Sequence, residues 1–210
     1  MPRLILIAIL LASSVWGCFS RKAVQLRYYL IESPAAAEAT LSREIPLTDA
    51  SCEIRIVSVH PAFADNRIAV RMNTHELNYY AHHKWAVTPE ETLTQLTEEY
   101  LQRRRIFATA SSRVWKFAPE YQLQTRVNQL EVVQQDEKLS AHLNVEFTLI
   151  RNASKLAVAF HSADRKVPLA ENDLNTFAST ISDLFYKELQ VLSEKITSYL
   201  QDVDVSDSAN

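Results

Sequence analysis

"LSAHLNVEFTL", residues 139–149, sets apolar and polar side chains in strict alternation. Leu139, Ala141, Leu143, Val145, Phe147 and Leu149 fall on one side, and Ser140, His142, Asn144, Glu146 and Thr148 on the other. Successive side chains of a strand point to opposite faces, so this pattern predicts a strand with one face buried and the other wet or covered by polar contacts. An antiparallel sheet accommodates such a strand. Asp136-Glu137 before it and Asn152-Ala153 after it read as hairpin turns, with Leu156, Val158 and Phe160 continuing the sheet. Upstream, Tyr121, Leu123 and Val127 alternate, and then the apolar register moves to Leu130 and Val132. That slip predicts a bulge near Asn128-Gln129.

Two helices bracket these strands. Thr88-Pro89-Glu90-Glu91 is a capping box, with threonine at the N-cap, proline at the first helical position and glutamate at the third. Leu93, Leu96, Tyr100 and Leu101 then form an apolar stripe, and Arg103, Arg104 and Arg105 close the last turn, where the helix dipole favours cations. Residues 171–201 predict a long terminal helix with the stripe Leu174, Phe177, Ile181, Leu184 or Phe185, Leu189, Leu192, Ile196 and Tyr199. Ahead of the first helix, residues 27–31, 53–59 and 67–72 read as strands, 33–40 as a loop, and 76–86 as an extended stretch carrying Tyr79, Tyr80 and Trp85. The acidic, polar tail 202–210 is expected to be disordered. The fold class is therefore α+β: a mainly antiparallel sheet packed against a capped central helix and a long C-terminal helix, in one domain over residues 27–201.

Composition narrows the chemistry. The 210 residues carry 22 basic and 25 acidic side chains, a formal net charge of −3, which is not a nucleic-acid surface. The single glycine is Gly17. Phosphate-cradling loops and the nucleophile elbow of α/β-hydrolases depend on glycine for tight turns and close backbone approach, so both chemistries are disfavoured. The two cysteines, Cys18 and Cys52, form no CxxC or zinc-ribbon pattern, and Cys52 reads as a passive, partly buried thiol. Among the histidines, His82 and His83 are adjacent in an extended stretch and point to opposite faces, so they do not chelate one metal together. His142 lies on the polar side of its strand, and His161 has no evident carboxylate partner in sequence. No catalytic residue, metal site or cofactor is expected.

The lone glycine belongs to "VWGC", residues 15–18. Before it stand Arg3 and an apolar run over residues 4–12, shorter than the ~20 residues a membrane-spanning helix needs. A charged start, a short apolar stretch and small residues are the anatomy of a secretory signal. Val15-Trp16-Gly17-Cys18 resembles a bacterial lipobox, although Trp16 is bulkier than the usual residue there and Val15 replaces the commoner leucine. The resemblance implies a signal over 1–17, a lipidated Cys18 and a tether over 18–26. A plain signal or an uncleaved anchor stays open as the alternative. Phe19, rather than an aspartate, follows the cysteine, which in this resemblance implies delivery to the outer membrane. Palmitate-type acylation by more than one chain would give stable anchoring there.

The order of elements carries a wider resemblance. Tyr28-Tyr29-Leu30, the segment 54–61 ending in His60-Pro61, Arg67-Ile68-Ala69-Val70-Arg71, and Leu77-Asn78-Tyr79 through Trp85-Ala86 stand before the capped helix, and the long helix with Ile196 ends the domain. This arrangement resembles the ABC-type transport auxiliary lipoproteins, including the paraquat-inducible protein C branch. One departure is Val87-Thr88, where a proline soon after Trp-Ala is more usual; here it is Pro89. The resemblance implies a non-catalytic periplasmic subunit on the outer membrane. It would serve lipid transport with a bridging protein of the mammalian-cell-entry type and an inner-membrane ABC transporter or permease, with homo-oligomers left open. An envelope structural or assembly lipoprotein, for lipopolysaccharide or a secretion apparatus, and a periplasmic hydrolase remain the rival readings. For partner contact, the mixture of arginine and aromatics points to Arg67, Arg71, Tyr79 and Trp85, against the alternative that these aromatics pack the core.

Overall fold

The alternating stretch is the middle of a three-strand meander. The computed structural model describes residues 25–34, 44–113 and 118–208. Cys18, the signal segment, the tether up to residue 24 and most of the 33–40 loop lie outside them. The elements follow as β1 (Arg27–Tyr29), β2 (Thr48–Ile54), β3 (Ser58–Val59), β4 (Arg67–Asn73) and β5 (Glu76–Trp85), then α1 (Pro89–Arg104) and β6 (Phe107–Ser111), and last β7 (Tyr121–Gln135), β8 (Lys138–Arg151), β9 (Leu156–Pro168) and α2 (Leu174–Ser208). This is the α+β class expected.

β7 organises the sheet. One of its edges runs antiparallel along β8 from Tyr121↔Arg151 to Gln135↔Lys138, and β8 in turn pairs antiparallel with β9. Its other edge is shared in sequence by three short parallel strands, with Ile54↔Leu123, Val59↔Val127 and Val70↔Val132. Beyond these, β5 pairs antiparallel with β4, β1 parallel with β5, and β6 parallel with β2. The long ladders are thus antiparallel, and the parallel pairings are all short.

The bulge falls where the apolar pattern slips. The β7–β8 register shifts between Val127 and Gln129. Before it, Tyr121, Leu123, Thr125 and Val127 point into the core; after it, Leu130 and Val132 do. The Asn128 side-chain amide donates to Asn144 Oδ1 and to Glu146 Oε1, both at 3.1 Å, and so ties the bulge to β8.

Both helices pack on the same side. α2 lies over β8 and β9, α1 over β2, β3 and β6, and the two helices touch. Phe147 of β8 meets Phe185 of α2 at 5.9 Å between ring centroids, and Tyr100 of α1 meets Tyr186 edge-on at 4.9 Å. The Tyr100 hydroxyl is also within 3.1 Å of Ser193 Oγ. At the start of α1, Thr88 Oγ1 accepts from the Glu91 amide, as the capping box predicts, and the helix ends within the arginine run.

Leu156, Val158 and Phe160 continue the sheet as β9, in which Ala159, His161 and Ala163 face the core while Leu156 and Phe160 are exposed. The register shifts between Leu149 and Ile150. Two expectations are corrected. α2 continues through Ser208, whereas the segment from 202 is expected from its composition to be disordered. No glycine or proline follows Pro168 to stop the helix. Second, the strand expected over 53–59 is two strands, β2 and β3, and β6 is an additional strand.

A domain without glycine must turn its corners with other residues. Arg105, Asp136 and Lys155 have φ of 46°, 55° and 59°, the left-handed region where glycine is normally preferred. For lysine that conformation costs about 1–2 kcal/mol. Lys155→Gly should therefore stabilise the domain by up to about 1 kcal/mol after the added unfolded-state entropy, read as a higher denaturant midpoint at unchanged slope. A lower midpoint would contradict this account of the turn.

Candidate functional surface

With both helices on one side, no helix covers the other face of the sheet among the described residues. It presents Gln122, Gln124, Arg126 and Gln129 from β7, Asn144, Glu146 and Thr148 from β8, and Phe160, Ser162 and Lys166 from β9. A chain of alternating charge crosses it on four consecutive strands. Arg71 of β4 donates through Nε to Glu131 Oε1 of β7 at 2.8 Å. His142 Nδ1 of β8 lies 3.1 Å from the same oxygen, and its Nε2 lies 2.8 Å from Asp164 Oδ1 of β9. Glu131 reaches this face only because of the bulge, since one residue of slip flips every later side chain.

The electrostatics are those of a structural network. The hydrogen bond with Glu131 raises the pKa of His142 above its ordinary 6.5, opposed by burial and assisted by Asp164. Burial works against ionisation of Glu131, but hydrogen bonds from His142 and Arg71, together with their charges, hold its carboxyl below the usual value. Both imidazole nitrogens face carboxylates, so the protonated ring, with two N–H donors, suits the site.

A second network lies on the helix side. His161 Nε2 is 2.6 Å from Glu188 Oε2, and Arg165 Nε donates to Glu188 Oε1 at 2.8 Å. The Glu188 side chain has no solvent exposure. Burial opposes its charge, yet the bonds from Arg165 and His161 keep its carboxyl below the ordinary range. Lys195 Nζ donates to the Phe160 carbonyl at 3.0 Å and sits 3.4 Å from His161 Nδ1. The carboxylate partner that His161 lacked in sequence is thus Glu188. A signal for it was present: Glu188 falls on the apolar stripe of α2, seven residues after Ile181 and four before Leu192, where a charge needs a buried counter-group.

The residues expected at the partner surface divide. Arg67 stacks its guanidinium 4.0 Å from the Tyr79 ring and pairs with Asp65 at 2.6 Å. The Tyr79 hydroxyl donates to the Ala62 carbonyl at 3.0 Å. Arg71 is held by Glu131 and is only partly exposed. Trp85 does not belong with them: it is 2% exposed and packs on Phe177 at 5.7 Å, so its size is spent in the core. Cys52 is fully buried, and that burial pushes its thiol up to about 12, as befits an inert residue. His83 pairs with the Tyr29 hydroxyl at 2.8 Å. Among the described residues no group of acidic, histidine or cysteine side chains is arranged to hold a metal ion.

The raised pKa of His142 sets a pH dependence. A group whose folded pKa exceeds its unfolded value stabilises fully below the unfolded value and loses that contribution as pH rises through the folded one. Stability should therefore decline from about pH 6.5 upward, and that decline should be smaller in His142→Gln, measured by denaturant unfolding across pH. Identical pH profiles for the two proteins would contradict the assignment.

Comparison with known proteins follows the same architecture. Protein XCC0632 from Xanthomonas campestris superposes with a TM-score of 0.67 at 18% identity, covering 87% of this chain and 99% of its own. An uncharacterised protein gives a TM-score of 0.59 at 12% identity over 75% of this chain and 99% of its own. The hypothetical protein CT253 from Chlamydia trachomatis gives 0.50 at 7% identity over 73% and 98%. At these identities the likeness is one of fold. No curated protein matches the chain by sequence. The model of the ABC-type transport auxiliary lipoprotein component family matches residues 28–196, which span β1 to the middle of α2. The chain belongs to the ABC-type transport auxiliary lipoprotein family.

Proposed function

We propose that this protein is a non-catalytic subunit of a lipid transport system, held by acyl chains on Cys18 at the periplasmic face of the outer membrane. Its partner in this reading is a bridging protein of the mammalian-cell-entry type, which works with an ABC transporter or permease of the inner membrane. The family match over residues 28–196 carries the reading. The disposition of the ionisable groups supports it. His60 accepts from the Ala62 amide within its own turn, while His142 and His161 are engaged by carboxylates and by Lys195 in bonds that tie strands and helix together. A hydrolase would instead bring a nucleophile to a base in a cleft. Among the described residues no helix is long and apolar enough to cross a membrane, which fits attachment through Cys18.

The partner would meet the bare sheet face, where Arg67, Tyr79, Arg71 and Lys166 mix charge with an aromatic ring. Arg67 pairs with Asp65 in the open and Lys166 is exposed, so their reversal costs the fold little, whereas reversing Arg71 would set a carboxylate against the buried Glu131. Arg67→Glu and Lys166→Glu together should sharply reduce co-purification with the bridging protein while leaving stability within about 1 kcal/mol of the parent. Undiminished co-purification from a folded double variant removes this surface. Anchoring is checked separately: a fatty-acid analogue should label the parent and not Cys18→Ala, and equal labelling would end the lipidation reading.

A further inference from the structure

The first described residues carry an apolar stripe that the core does not use. Around β1 the chain is extended, so alternate side chains part to opposite sides. Tyr29 and Ile31 turn inward, Ile31 being 4% exposed. Leu26, Tyr28 and Leu30 turn outward and are 43%, 59% and 47% exposed. Three large apolar side chains in a row on one edge strand are an unusual surface for a strand whose outer edge is unpaired among the described residues. One cationic side chain shares the face of the stripe: Tyr28 pairs in register with Lys84 of β5, whose charge also acts on Asp65, while Arg27 alternates to the other side.

We infer that this stripe rests on the phospholipid surface, with Tyr28 and the two leucines at the headgroup boundary and Lys84 beside them facing lipid phosphates. The inference rests on the anchoring of Cys18 proposed above. Position argues for lipid as the occupant. From Cys18 to residue 24 the chain spans at most about 23 Å even when fully extended, and it enters the described domain at residue 25, directly beside Leu26. The edge nearest the anchor is therefore the edge that carries the stripe. Composition argues the same way, because tyrosine rings favour the membrane–water interface and a lysine near an anionic surface gains about 1 kcal/mol. The β9 edge, on the far side of β7 and β8, would then face away from the membrane.

The test uses the full, processed lipoprotein in phosphatidylethanolamine–phosphatidylglycerol vesicles containing a headgroup-nitroxide lipid. Cys18 is consumed by acylation and Cys52 is buried, so a cysteine introduced by Tyr28→Cys, or by Phe160→Cys on the far edge, takes a fluorophore selectively. The probe at 28 should be quenched severalfold more by the lipid nitroxide than the probe at 160, and it should be shielded from aqueous iodide. If the protein floats with the vesicles but both probes are quenched alike, the stripe does not lie on lipid, although the anchor stands. A probe at 28 shielded from both lipid nitroxide and iodide would mean that a second copy or a partner covers it, which also overturns the inference. Failure to float at all would instead remove the anchor, and the inference with it.

Discussion

Hydrogen bonding along both edges of β7 fixes where everything else can lie. One edge has a single partner, β8, in an unbroken antiparallel ladder apart from the bulge. The other edge is divided among β2, β3 and β4, which come from the N-terminal half of the domain and reach β7 in order. A 15-residue strand used this way joins the two halves of the chain into one sheet. The bulge at Asn128 is the second half of the constraint. Without it Leu130 and Val132 would face water and Glu131 would face the core, an inversion that burial energies forbid. With it, Leu130 and Val132 complete the floor under the helices, and Glu131 becomes the centre of the Arg71–His142–Asp164 network on the bare face.

The two charged networks serve the two sides of the same sheet. On the helix side, Glu188 is neutralised by His161 and Arg165 of β9, so a buried carboxylate marks where α2 must sit on the last strand. Breaking such a pair by removing one partner typically costs about 3–5 kcal/mol, whereas exposed pairs contribute little. On the bare side, the chain of alternating charges cross-links β4, β7, β8 and β9 while keeping their outer surface polar.

Much of this was legible in the amino-acid sequence, for definable reasons. The alternation at 139–149, the slip after Val127 and the capping box at Thr88 each have a period or a residue signature set by local geometry, and each is present. The parallel partners of β7 were harder to see, because two- and three-residue pairings carry no periodicity. The faces of β9 are harder to read, because Leu156 and Phe160 are exposed while alanines and His161 take the inner face, and a register shift lies between them and the strand's start. The sequence leaves Trp85 open between surface and core because aromatics suit both, and only tertiary packing on Phe177 separates the two. Cys18 lies outside the described residues.

That the bare sheet face is the working surface of this lipoprotein can be tested directly in the intact envelope. A photo-crosslinking amino acid would be placed at Ser162, exposed on that face of β9, and separately at Gln95, exposed on α1. The account predicts that position 162, and not position 95, captures a protein of the mammalian-cell-entry type. Equal capture from both positions, or capture from the helix side alone, would contradict it.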